Sequence, residues 1–318
     1  MSRNVCITAV EGNTGYLIAE LLLTDENFVK QIDTVFGLTQ NPNSQRCKDL
    51  IQLGATIVPH QPGRTKNVAG TLTDTKANTV CIVPPASRDK IDITAELIEA
   101  TKIANIPNAV LLSSAGEFID LEAMFLGTKG DDSTVMGHCP VVIRAGFYAE
   151  NLLAYAPQAK EEGLLPIPVG REHKFAPVAL GDVALLAAHV LTGKGKEGFD
   201  DKHRGQLMTL TGPMLLDGTE LAREAGEALN SGMEFEDISE REAKKVLKSQ
   251  SATDDAEIQY ILEYYSLVRE GKTNYVSTTA FRDATGDEPQ QPPDFFRVYA
   301  EEFTPKKGAK RRKVTDGK

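Results

Sequence analysis

The chain has 318 residues, 41% hydrophobic and 25% charged, and 45 Asp and Glu against 35 Lys and Arg give a formal net charge of −10. This is the composition of a globular protein with a sizeable core, and its acidic body argues against nonspecific nucleic-acid binding. No run of 18 apolar residues and no charged-then-apolar leader occurs, which predicts neither a membrane span nor a secretory signal.

The apolar run Val5 to Val10 is too short for a helix, and it breaks at Gly12 and Gly15 into a stretch with Leu17, Ile18, Leu21 and Leu22 on one helical stripe. The pattern predicts strand, tight turn, helix. Such a turn lets main-chain N–H groups at a helix start approach a diphosphate, with the helix dipole adding positive potential. Ala9, Gly12, Asn13, Thr14 and Gly15 are therefore candidate dinucleotide-binding residues, with Ala9 standing where the dinucleotide fingerprint has its first glycine. The alternative is a turn that only packs. Glu11 bears on the choice, because a carboxylate near phosphates costs binding energy unless it points to solvent or meets a cation.

A second strand over 34–39 ends at Gln40. In dinucleotide folds a carboxylate at this point bonds the ribose 2′-hydroxyl, whereas a cation accommodates a 2′-phosphate. Gln40 is neutral, and Arg46 and Lys48 follow on the next helical segment, which favours NADP(H) over NAD(H) if these cations do not simply form a solvent-facing helix surface. A third strand over 54–58 and a fourth over 79–83, stopped by Pro84 and Pro85, come next. A helix over 89–104 then leads to a fifth strand over 109–112 that ends in Ser113 and Ser114. Strands alternating with helices predict an α/β, Rossmann-like, doubly wound parallel sheet whose ligand crevice lies at the strand C-termini, lined by Pro84 and Ser113. Cys6 and Cys81 sit in apolar strands and read as buried reduced thiols, in keeping with a reducing cytoplasmic or nuclear location. None of the four cysteines or five histidines has metal-site spacing.

Residues 1–150 are expected to form the NAD(P)-binding domain and 151–303 a smaller α/β substrate-binding region. That region has a strand over 206–211, helices over 217–229 and 239–247, and a helical stripe of Ile258, Ile261, Leu262, Tyr265 and Val268. Asp182 reads as the N-cap of the helix through Val190. Residues 304–318 form a basic tail, in which the cations between 306 and 313 read either as a nuclear-import signal or as a solvated terminus.

Several stretches together resemble the NmrA-like family, an atypical branch of the short-chain dehydrogenases/reductases that includes isoflavone-reductase-like enzymes and redox-sensing regulators. They are Gly12-Asn13-Thr14-Gly15, the segment Leu38 to Ser44, Gly54 to Val58, Leu111-Leu112-Ser113-Ser114, Val142 to Leu152 and Phe175 to Ala184. The resemblance covers roughly the first 190 residues in order. It implies an NAD(P)H-dependent oxidoreductase acting on a small organic metabolite. Two positions depart from the family: Ala9 replaces a glycine, and Gln40 replaces the arginine of NADP-binding members.

The superfamily's tyrosine, four residues before a lysine, has no intact copy. Phe125 to Lys129 keeps the spacing, with phenylalanine at the acid position. Hydride transfer to a ketone needs a donor for the developing alkoxide, which phenylalanine cannot be. Hydride addition to an iminium needs none, which favours reduction of an imine or activated C=C. Lys129 is the candidate to orient the cofactor or polarise substrate, or else a surface lysine; Tyr148 is the candidate proton donor, or else a core aromatic beside Phe147. The expected partner is a small-molecule substrate, with no direct nucleic-acid or membrane partner. The alternative is a catalytically inactive NAD(P)-sensing transcriptional regulator with a nuclear protein partner, reached through the tail at 306–313.

Overall fold

The computed structural model describes residues 3–114, 118–127, 139–195, 198–250 and 255–306. Nine strands occur among them: β1 (Asn4–Thr8), β2 (Thr34–Thr39), β3 (Thr56–Pro59), β4 (Thr79–Ile82), β5 (Asn108–Ser114), β6 (Cys139–Ala145), β7 (Leu164–Ile167), β8 (Leu207–Leu210) and β9 (Glu234–Asp237). Seven of them form one sheet in the order β3-β2-β1-β4-β5-β6-β8. The pairs from β3 through to β6 are all parallel. The order reverses beside β1, and the crevice at such a switch point is where open α/β sheets bind ligands. The Rossmann-like α/β architecture read from the sequence is the one observed.

Six helices fill the crossovers of this part: α1 (Asn13–Thr24), α2 (Glu26–Val29), α3 (Gln45–Gln52), α4 (Thr65–Asp74), α5 (Lys90–Ile103) and α6 (Ile119–Leu126). A parallel strand covered on both faces has to be apolar throughout, and β1 and β4 are: Val5, Cys6, Ile7, Val80, Cys81 and Ile82 are all buried. The inward stripe of α1 is Ile18, Ala19 and Leu22. Cys6, Cys47 and Cys81 are free, buried thiols, and burial pushes Cys6 up to about 12 and Cys81 higher still.

The chain divides into two compact units. The first gathers 1–145, 181–209 and 283–286, and holds the large sheet; the second gathers 146–180, 210–282 and 287–318. In the second, β7 pairs in parallel with β9. The helix Gly218–Ala228 begins at a full capping box between Asp217 and Glu220, and Glu220 also takes the Lys174 ammonium at 2.8 Å. The helical stripe of Ile258, Ile261, Leu262, Tyr265 and Val268 faces inward on Asp255–Arg269.

Asp182 is not an N-cap. The helix Leu180–Leu191 starts two residues earlier and carries Asp182 in its first turn, where a carboxylate still complements the dipole. Glu150 Oε2 accepts from the Leu180 N–H at 2.9 Å. No helix among the described residues is long and apolar enough to cross a membrane.

Candidate cofactor and active site

The end of β1 is fixed by Thr8. Its buried hydroxyl donates to Val83 O and accepts from Val83 N, each at 2.8 Å, tying the strand to the end of β4. The chain then turns sharply. Ala9 adopts φ +50°, a conformation that costs an L-residue roughly 1–2 kcal/mol, and Gly12 N donates to Ala9 O at 3.0 Å. Gly15 lies so close beneath this turn that a Cβ would sit 2.5 Å from Ala9 O and 2.9 Å from Thr8 O. The turn is therefore held against the helix by a contact only glycine allows.

Gly12 is the N-cap residue of α1 and has no side chain to offer the helix start. The first intrahelical bond belongs to Tyr16 N, which donates to Gly12 O at 3.1 Å. The N–H groups of Asn13, Thr14 and Gly15 thus have no helical carbonyl to meet, and an uncapped N-terminus of this kind favours an anion.

Glu11 does neither of the things expected of a carboxylate here. Its Oε1 accepts from Gln40 N at 3.0 Å, so the side chain lies along the end of β2 and not over the helix start. Arg46, exposed on α3, donates instead to the Glu11 carbonyl at 3.0 Å and to Asn13 Oδ1, and its guanidinium lies 5.9 Å from the Tyr16 ring centre. Lys48 is exposed. Glu11 Oε2 is buried without a hydrogen-bond partner, and so is Nε2 of His60; the His60 main-chain N–H donates to Thr39 O at 2.7 Å. Burial lowers the His60 pKa, with Glu96 and Glu11 partly opposing the shift.

Both orphaned atoms belong to residues lining a small cleft, which also includes Ala9, Thr39, Gln40, Val83 and Pro85. At the end of β4 it is Pro85 that lines this cleft; Pro84, half-buried, precedes it. His60, Thr39 and Val83 were not singled out by the sequence. His60 follows directly after β3, so the rule that strand C-termini line the crevice contained the signal.

A second polar cluster closes the ends of β5 and β6, where Ser113 and Arg144 are register partners. Glu122, buried in the first turn of α6, accepts from Ser113 Oγ at 2.5 Å and from Arg144 Nε at 2.9 Å; Arg144 Nη2 reaches its other oxygen. Phe125 is buried in the same helix. Lys129 lies outside the described residues.

Tyr148 belongs to the second unit. It is half-buried, forms a parallel bridge with Val178 and precedes the 3₁₀ segment Ala149–Tyr155. The core aromatic is its neighbour Phe147, whose ring centre lies 5.3 to 5.4 Å from those of Phe175, Tyr264 and Tyr265.

The Rossmann-like fold of this chain is shared by solved structures of low sequence identity. Similar solved structures include the NADPH-dependent quinone oxidoreductase of Escherichia coli complexed with NADPH (TM-score 0.73, 20% identity, 93% of this chain and 99% of that one). NmrA, a negative transcriptional regulator, in complex with NADP is also similar (TM-score 0.67, 14% identity, 95% and 97%). Among curated relatives, an NAD(P)H azoreductase of Xenophilus azovorans is 28% identical over 171 residues, 53% of this chain and 57% of that protein. The chain spans about half the length of the curated relatives it matches. No family model matches it.

Proposed function

We propose that the chain is an NAD(P)H-dependent oxidoreductase, favouring NADP(H), that reduces small conjugated organic acceptors such as imines, azo compounds, quinones or activated C=C bonds. The observation that carries this reading is the bare, uncapped turn from Ala9 to Gly15, pressed against the start of α1 beside a cleft with two orphaned polar atoms. These residues fit a dinucleotide: the N–H groups of Asn13, Thr14 and Gly15 would hold the diphosphate, and Arg46 would meet a 2′-phosphate. When bound, the nicotinamide supplies a hydride.

The chain's own groups favour acceptors that build up little localised alkoxide charge. The Ser113 hydroxyl spends its proton on Glu122, and Phe125 has no proton to give. A delocalised or cationic acceptor needs less stabilisation than a ketone, so positioning carries more of the rate. Tyr148 is the proposed proton donor. The names of the quinone oxidoreductase and azoreductase relatives lend support.

A nucleotide-sensing regulator without turnover is the second reading, favoured by the buried Phe125 and the similarity to NmrA. Its protein partner would be nuclear, reached through a tail that from residue 307 lies outside the described residues. NADPH oxidation with a quinone, an azo dye, an imine and an enone is the test. Turnover on at least one, with a ketone inert, supports the enzyme; no turnover on any, with redox-dependent capture of a partner, replaces it by the regulator.

A further inference from the structure

Glu11 stands in the turn, but its carboxylate is delivered to the end of β2. It takes the main-chain N–H of Gln40, at the strand end where dinucleotide folds read the ribose 2′-position. The neutral Gln40 side chain leaves that place without a charge of its own, and Glu11 supplies one from the turn after β1. Only one oxygen is used. Oε2 is buried and partnerless, and Glu11 lines the same cleft as His60, which is 7% exposed and has its own orphaned Nε2. An ionised carboxylate oxygen is a strong acceptor that a sugar hydroxyl would satisfy. Arg46 is the opposite reader. Its two hydrogen bonds go to neutral oxygens, the Glu11 carbonyl and Asn13 Oδ1, so forming them does not neutralise its charge.

We propose that Glu11 is the specificity-determining residue for the 2′-end of the dinucleotide: its free oxygen accepts from the 2′-hydroxyl of NADH and opposes the 2′-phosphate that Arg46 attracts. The proposal rests on the dinucleotide reading above. Its consequence is dual use, because the attraction from Arg46 and the repulsion from Glu11 act on the same phosphate, which carries a charge of about −1.5 to −2. NADPH keeps a lead of no more than about tenfold. The two residues are separable by charge, since neutralising one leaves the other intact.

Dissociation constants for NADPH and NADH, read by quenching of their fluorescence on the full chain, test it. In the unaltered protein the two should agree within about tenfold. Glu11→Gln should tighten NADPH about five- to twentyfold and weaken NADH several-fold; Arg46→Ala should weaken NADPH at least tenfold and leave NADH within twofold. Equal shifts of both dinucleotides in Glu11→Gln, or no shift, overturn the proposal, because Glu11 would then act only through the shape of the turn. A hundredfold preference for NADPH in the unaltered protein overturns it without any variant. Binding of neither dinucleotide at millimolar concentration is a different result: it removes the cofactor reading itself, and Glu11's role with it. Competition by 2′,5′-ADP against 5′-ADP gives the same comparison without the nicotinamide and should follow the same ratios.

Discussion

Arg144 donates from Nε at the end of β6 to Glu122 on α6 at 2.9 Å, and the carboxylate that receives it is buried, its side chain only 3% exposed. The same oxygen takes the Ser113 hydroxyl. A buried carboxylate with three donors is stable only while the donors remain, and the donors are equally dependent on it. Glu122→Gln should therefore lower unfolding free energy by about 2–3 kcal/mol, less than a fully buried pair would lose because Arg144 is 29% exposed. Urea unfolding measures it; a loss below about 0.5 kcal/mol would show that the cluster contributes little to the fold.

The turn after β1 gives two opposed substitutions. Ala9 at φ +50° is strained, so Ala9→Gly should stabilise by about 0.5–1 kcal/mol after the greater freedom of glycine in the unfolded chain is set against it. Gly15→Ala should destabilise by more than about 2 kcal/mol, because its Cβ would meet main-chain oxygens that cannot swing aside. Thermal melts of the two variants should move in opposite directions, and movement in the same direction would contradict this account of the turn.

These cases show which parts of the molecule were legible from the sequence. The strands β1, β2 and β4 were, because a covered parallel strand is largely apolar, and the stripe of α1 was in part: Ile18 and Leu22 are buried as its spacing predicts, whereas Leu17 and Leu21 are only half-buried and Ala19 is buried in addition. The fate of Glu11 was not, since a side chain in an aperiodic turn points where the φ of Ala9 sends it. Glu122 and Arg144 lie 22 residues apart and meet only through the register that sets Ser113 beside Arg144. His60 was hidden in a polar loop, though its position just after Pro59 places it at a strand end. Asp182 shows the ordinary limit of reading caps: a carboxylate suits the first turn of a helix as well as its N-cap.

His60 and His203 make stability fall in mild acid. Burial lowers both pKa values in the folded protein, so below the unfolded value of about 6.5 the unfolded chain binds more protons than the folded one. The contribution is complete above that value and is lost as pH falls through it towards the folded pKa values. Each histidine adds at most about 1.4 kcal/mol per pH unit to the slope. Urea midpoints should be level from pH 7.5 to 8 and decline between pH 6.5 and 5. His60→Gln should make that decline shallower, and an unchanged slope would remove His60 as a source.

Cys6 and Cys81 should resist thiol reagents in the native state. Their thiols are buried in β1 and β4 and pushed upward by desolvation, so the reactive thiolate is scarce at pH 8. Peptide mapping after a short exposure to iodoacetamide should find both unmodified in buffer and both alkylated in 6–8 M urea. Rapid native alkylation at either would mean that the central strands open far more readily than their packing implies.

Tyr148 separates the acceptor classes by proton demand. Hydride addition to a neutral quinone or enone leaves an oxyanion or enolate to be protonated, whereas addition to an iminium carbon gives a neutral amine directly. If Tyr148 delivers that proton, Tyr148→Phe should lower kcat on the neutral acceptors by about a hundredfold, in the range typical of a lost general acid, and leave kcat on an iminium within about twofold. KM and the affinity for NADPH should hardly change, because the half-buried ring keeps its shape and only the hydroxyl is removed. An equal fall on both classes would point to a packing role shared with Phe147. No fall on either would take Tyr148 out of the chemistry and leave the proton to come from solvent.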